Sequence, residues 1–137
     1  MKLSEIIKDN SMVAFSTVNS AGEPKVRQFS HQFVIDGKIC FATSNQGSTY
    51  AELQVNPNAE LMQFARAIYS RISGKIQFAT GEEKEQLLAK VADANPRLIE
   101  MYTPEGFAQK MEVGYFVEPN LKIVDYKTRQ PIEVEVE

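Results

Sequence analysis

The sequence predicts a mainly β protein with peripheral helices, α+β in class, built as a small antiparallel barrel or a strongly curved sheet. Three observations carry this. Its strand-like runs are short and join through tight turns rather than through long crossovers, which excludes a parallel doubly wound sheet. Asp36-Gly37 falls between two apolar runs, the strongest short-range hairpin signal. Gly74 interrupts an otherwise alternating run, as bends in barrel strands require. The 137 residues fit one compact domain, 1–137, able to bury roughly two-thirds of its unfolded surface.

Leu3, Ile6 and Ile7 share a face of a short helix that Asn10-Ser11 ends. Met12–Val18 is β-branched-rich and apolar, and the turn formers of Asn19–Pro24 reverse the chain. A second strand, Lys25–Ile35, alternates Lys25, Arg27, Phe29, His31, Phe33 and Ile35 against Val26, Gln28, Ser30, Gln32 and Val34. Neither face is purely apolar, so part of it lines a site or an interface. A third strand, Lys38–Thr43, runs into the small, hydroxyl-rich segment Thr43-Ser44-Asn45-Gln46-Gly47-Ser48. Ser48 reads as the N-cap of a two-turn helix stopped at Asn56-Pro57.

Ala59–Ala65 and Ile68–Thr80 are the fourth and fifth strands. In the fifth, Ile68, Ile72, Ile76 and Phe78 face inward while Tyr69, Arg71, Lys75 and Gln77 face out. Thr80-Gly81-Glu82-Glu83 has the capping-box spacing for a helix whose buried stripe is Leu87, Leu88, Val91 and Ala94. Asn95-Pro96 breaks it, Arg97–Tyr102 adds a turn or two, and Pro104-Glu105-Gly106 reads as a loop. Met111–Val117 and Leu121–Tyr126 are expected as two strands around Glu118-Pro119-Asn120. The alternating tail IEVEVE is expected as an edge strand able to pair with another chain.

Composition narrows function by exclusion. Apolar residues make up 43% and charged ones 24%, with a net charge of −3 and no basic cluster, so nucleic acid is a poor partner. One Cys and one His cannot build a zinc cluster or an internal disulfide. Cys40 reads as a small core residue. No stretch has transmembrane length or a signal-peptide pattern, which makes a reducing cytoplasm the expected compartment. What remains is an anion site. Hydroxyls and backbone N–H groups from Thr43 to Ser48 converge on a helix start, the usual way a chain holds a phosphate.

The ordered motifs resemble the FMN-binding split barrels related to pyridoxamine 5'-phosphate oxidase. The segments are Gly22-Glu23-Pro24…Arg27-Gln28-Phe29, Asp36-Gly37-Lys38-Ile39-Cys40-Phe41-Ala42-Thr43-Ser44-Asn45, Tyr50-Ala51-Glu52-Leu53…Asn56-Pro57, Arg71-Ile72-Ser73-Gly74-Lys75 and Asn95-Pro96-Arg97-Leu98…Tyr102. The resemblance implies a small antiparallel split β-barrel and a homodimer with noncovalent FMN at the subunit interface. It implies phosphate at Thr43, Ser44 and Asn45 and at the helix start Ser48, Thr49 and Tyr50. The flavin ring would lie near Arg27, Gln28 and Phe29, and Arg71 or Lys75 would reach in toward the phosphate. An oxidoreductase using a small substrate or a nicotinamide electron donor follows.

This chain departs from the family at Gly47, where a Lys is usual, and at Tyr69, where Trp is frequent. The residues that bind pyridoxamine phosphate are not visible, so that reaction is not carried over. Arg27 reads equally as a cofactor contact or as the partner of a surface carboxylate. Thr43 and Ser44 read as turn formers or, with the resemblance, as phosphate contacts, and Tyr50 as a cofactor neighbour or sheet packing. His31 is more often a structural residue than an axial haem ligand. The alternative in another class is a non-catalytic carrier of flavin or haem on the same fold.

Overall fold

The computed structural model describes residues 1–100 and 104–135, Pro104 by its backbone alone. In chain order the elements are α1 (Leu3–Ile6), β1 (Val13–Val18), β2 (Pro24–Phe29), β3 (Gln32–Ile35), β4 (Lys38–Ser44), α2 (Ser48–Val55), β5 (Asn58–Ala65), β6 (Ile68–Phe78), α3 (Gly81–Ala94), α4 (Pro96–Glu100), α5 (Pro104–Lys110) and β7 (Met111–Asp125). The strands form one sheet in the order β2-β1-β5-β6-β7-β4-β3, antiparallel throughout. Its two edges, β2 and β3, are separated in the chain only by Ser30 and His31. Two strands so close in sequence can sit at opposite edges only if the sheet curls until the edges meet. The result is a split β-barrel. Ala42 N–H donates to His31 O at 2.9 Å and pins that corner to β4.

Two apolar clusters hold the sheet. Inside the curl, Phe15, Phe41, Ile72 and Phe116 pack with Leu3, Ile6 and Ile7. Outside, Cys40, Ala42, Val113 and Tyr115 pack under Leu87, Leu88 and Val91 of α3, Leu98 of α4 and Phe107 of α5. On β4 the alternation therefore sends Ile39 and Phe41 inward and Cys40 and Ala42 beneath the helices. Both faces are covered, which explains its unbroken apolar run.

The Asp36-Gly37 hairpin forms, with both turn residues at positive φ (51° and 76°), the geometry of a two-residue primed turn. Several local expectations are corrected. The single strand expected over Lys25–Ile35 is two, because its halves pair with β1 and with β4. The two strands expected around Glu118-Pro119-Asn120 are one, β7, which pairs along the whole of β6. The register shift at Gly74 lets Pro119, which has no N–H to donate, pass without breaking the ladder. Pro104–Lys110 is a helix, not a loop.

The N-cap of α2 is Gly47 rather than Ser48, which is its first helical residue. Thr80 caps α3 with no side-chain bond, so the expected capping box does not close. Its Glu83 instead accepts from Tyr115 Oη at 3.2 Å. Ala94 is exposed, so the buried stripe of α3 ends at Val91. The tail folds onto its own chain. Glu135 bridges Lys2, and Ile132 and Val134 pack on the inner cluster. Tyr102 and the last two residues of the tail lie outside the described residues.

Candidate functional site

The turn between β4 and α2 is built to leave donors open. β4 ends at Ser44, and the turn is anchored to the start of β7 through Asn45. Its N–H donates to Lys110 O at 2.8 Å, and its Nδ2 donates to Gln109 O at 2.8 Å and Glu112 Oε2 at 2.9 Å. Ser44 closes the turn, its Oγ accepting from Gln46 N–H at 3.1 Å and its carbonyl from Gly47 N–H at 3.2 Å. Helix α2 then starts from Gly47, which has no side chain to offer as a cap. The first N–H groups of a helix have no partner inside it. Those of Ser48, Thr49 and Tyr50 thus face whatever approaches the turn, with the positive end of the helix dipole behind them. This donor set suits a phosphate, and the residues fit FMN at that end.

Thr49 is buried and fixes the first turn of α2 against the barrel, as Leu53 does one turn later. Tyr50 packs edge-on against Phe78 of β6, ring centroids 4.8 Å apart. Arg27 joins the site from β2. Its Nη2 donates to Glu52 Oε1 at 2.8 Å and its Nη1 to Thr17 Oγ1 at 2.8 Å, and Thr17 donates to the same Glu52 oxygen at 3.1 Å. Arg27 pairs with a carboxylate, as one of its two readings held, but that carboxylate is largely withdrawn from solvent.

The remaining candidates are not brought to this turn within one chain. Gln28 is exposed on the outward face of β2, opposite Ala14. The Phe29 ring packs on Phe15 and Phe41, against the inner cluster. Arg71 lies on the outward face of β6, its Nε donating to Glu60 Oε1 at 2.6 Å. Thr43 is paired with Glu112 and Arg71 with Lys122. Their partners are thus ten residues apart along β7, a contour of roughly 33 Å.

Sequence reading missed Glu52 and Thr17. Glu52 looks like any solvated helix glutamate. Thr17 carried a signal, since it falls in the inward phase of Val13 and Phe15, where a polar side chain needs a partner.

His31 sits at the β2–β3 corner, edge-on to Phe29 at 5.9 Å. Its Nδ1 is buried with no hydrogen-bond partner among the described residues, and burial holds its pKa below 6.5. With Asn10, Ser30, Asn95, Arg97 and Leu98 it lines an open cleft of about 500 Å³. Cys40 is fully buried, and burial pushes its thiol up to about 11, so it is no nucleophile. No group of three metal-ligating side chains occurs among the described residues. No described helix is long and apolar enough to cross a membrane.

The sequence matches the model of the pyridoxamine 5'-phosphate oxidase family over residues 1–125. The chain belongs to the pyridoxamine 5'-phosphate oxidase family. Solved structures agree on the fold. A nimC/nimA family protein from Clostridium acetobutylicum superposes with a TM-score of 0.73 at 22% identity, over 87% of this chain and 80% of that one. A pyridoxamine 5'-phosphate oxidase-related, FMN-binding protein from Nostoc punctiforme PCC 73102 gives 0.60 at 13% identity, over 90% and 78%. A haem-binding protein from Mycobacterium smegmatis gives 0.61 at 13% identity, over 88% and 55%. Among curated proteins, none matches this sequence.

Proposed function

We propose that this chain is a cytoplasmic flavoprotein that binds FMN noncovalently, works as a homodimer, and acts as an oxidoreductase on a small substrate or a nicotinamide donor. One observation carries the reading: the uncapped first turn of α2, beside Arg27, in a chain of this family. The backbone N–H groups of Ser48, Thr49 and Tyr50 would hold the phosphate, with the hydroxyls of Thr43, Ser44 and Ser48 around it. Asn45 keeps the turn in place against β7. Gly47 gives up the ammonium usual in the family and leaves the phosphate to backbone donors. FMN, when bound, supplies the electron transfer, while the protein supplies orientation, charge and access.

The dimer reading is supported by the outward face of the sheet. Val26 of β2 and Met62 and Phe64 of β5 are 71%, 38% and 55% exposed there, on the two strands that flank β1. An apolar face of this kind is what a second copy would cover. A second copy would also give Arg71, remote from the turn in its own chain, a route into a cofactor site. The FMN-binding neighbour from Nostoc punctiforme supports the choice of cofactor.

A carrier without turnover is the second reading. A haem would use His31, whose neutral imidazole lines an open cleft, and the haem-binding neighbour from Mycobacterium smegmatis supports it. The visible spectrum of the purified protein during addition of NAD(P)H in air separates the two. Flavin bands that bleach and return over many cycles support the oxidoreductase. Flavin bands that never bleach with any nicotinamide support a carrier. A Soret band that disappears in His31→Ala contradicts the flavin reading.

A further inference from the structure

We infer that Glu52 sets the charge of the candidate cofactor site, so that the site distinguishes little between FMN and its uncharged counterpart riboflavin. The inference rests on the flavin reading above. From Thr43 to Val55 the chain contains no lysine or arginine. Among the described residues, the two half-buried cations beside this segment, Arg27 and Lys84, come from elsewhere, and each faces a carboxylate. Arg27 spends Nη2 on Glu52 and Nη1 on Thr17, both at 2.8 Å. On the other side of the turn, Lys84 Nζ lies 3.0 Å from Glu112 Oε2, the oxygen that also accepts from Asn45.

These pairs are not loose surface contacts. The Arg27 and Glu52 side chains are 23% and 13% exposed, those of Lys84 and Glu112 21% and 12%. Charges so far withdrawn from water are weakly screened, and each carboxylate cancels its cation at close range. An arginine acting as a phosphate clamp forks two parallel N–H groups onto the anion. Here both terminal nitrogens of Arg27 already donate inward. Glu52 stands four residues beyond Ser48, about 6 Å of helix rise from the first turn. A phosphate there, carrying about −1.5 to −2, meets a locally neutral wall. What attracts it is the partial charge of the helix end, roughly +0.5. Exposed Lys25 and Lys110 are solvated and contribute little. The ring and ribityl chain, common to both flavins, then supply most of the affinity.

The test is a titration of the full-length protein with FMN and with riboflavin, followed by flavin fluorescence, for the wild type and Glu52→Gln. The glutamine keeps an oxygen for Arg27 and Thr17 while removing the charge. The wild type is expected to favour FMN by no more than about tenfold. Glu52→Gln is expected to raise that preference by about tenfold, with riboflavin affinity unchanged. Should the variant not fold, the wild-type ratio decides alone. A wild-type preference well above tenfold, or a ratio unmoved by Glu52→Gln, overturns the inference while leaving the flavin reading intact. Saturation by neither flavin overturns both.

Discussion

His31 marks the corner where β2 gives way to β3, and its buried Nδ1 makes the imidazole costly to charge. Burial lowers its folded pKa below 6.5, so the unfolded chain binds the proton more readily. Stability attached to this group is therefore present above about pH 6.5 and is lost as pH falls through the folded pKa. Between about pH 7.5 and 5.5, where few carboxylates titrate, the wild type should lose melting temperature. His31→Gln should flatten that loss. An equal loss in both proteins would place the effect elsewhere.

The same residue shows what the sequence made legible at this scale. A lone histidine on a mixed strand face was visible, but its burial was not, because that depends on the curl that brings the edges β2 and β3 together. Arg27 was a candidate from its position alone. Its partner Glu52 was not, since nothing local separates a helix glutamate facing β1 and β2 from one facing water.

At the scale of elements, Gly114 of β7 lies directly against Phe41 and Ile76 of the inner cluster. A methyl group there would stand 2.7 Å from Phe41 Cζ and 3.0 Å from Ile76 Cγ2. Gly114→Ala should lower stability by about 1–3 kcal/mol, the usual cost of overpacking, measured by urea unfolding. An unchanged midpoint would mean that the Phe41 ring can yield. Elements ruled by local chemistry were readable: Asp36-Gly37 as a primed hairpin, Asn56-Pro57 as the stop of α2, Gly74 as a bulge. Elements ruled by distant partners were not. The break at Ser30-His31 lies inside a run with strand composition at both ends. Glu118-Pro119-Asn120 has turn composition, yet β6 holds the chain extended through it. The capping box at Thr80 had the right spacing, but Tyr115 claims its glutamate.

For the whole molecule, the outward face carrying Val26, Met62 and Phe64 is the surface on which the dimer reading depends. Phe64 stacks edge-on with Tyr126 at 4.9 Å and is otherwise open. Phe64→Glu should convert a dimer into a folded monomer in sedimentation measurements and weaken flavin binding at the same time. A dimer that survives the substitution would move the interface to another face.

The barrel was legible because alternation and tight turns limit the topologies a small sheet can adopt. The turn into α2 was legible because Thr43–Ser48 is contiguous. A site shared between two copies, as the dimer reading has it, would not be written in any contiguous stretch.

The role proposed for the first turn of α2 is to hold the phosphate of FMN. It is tested most directly by titrating FMN into the wild type and into Gly47→Asp. Gly47 has extended backbone (φ −99°, ψ 168°) and ordinary space around a Cβ, so an aspartate fits. It would cap the helix itself and place a negative charge where the phosphate belongs. The account predicts saturable binding to the wild type, and binding weaker by about tenfold in the variant with its melting temperature kept or raised. Equal affinity in the two proteins, or no saturation of the wild type, would contradict it.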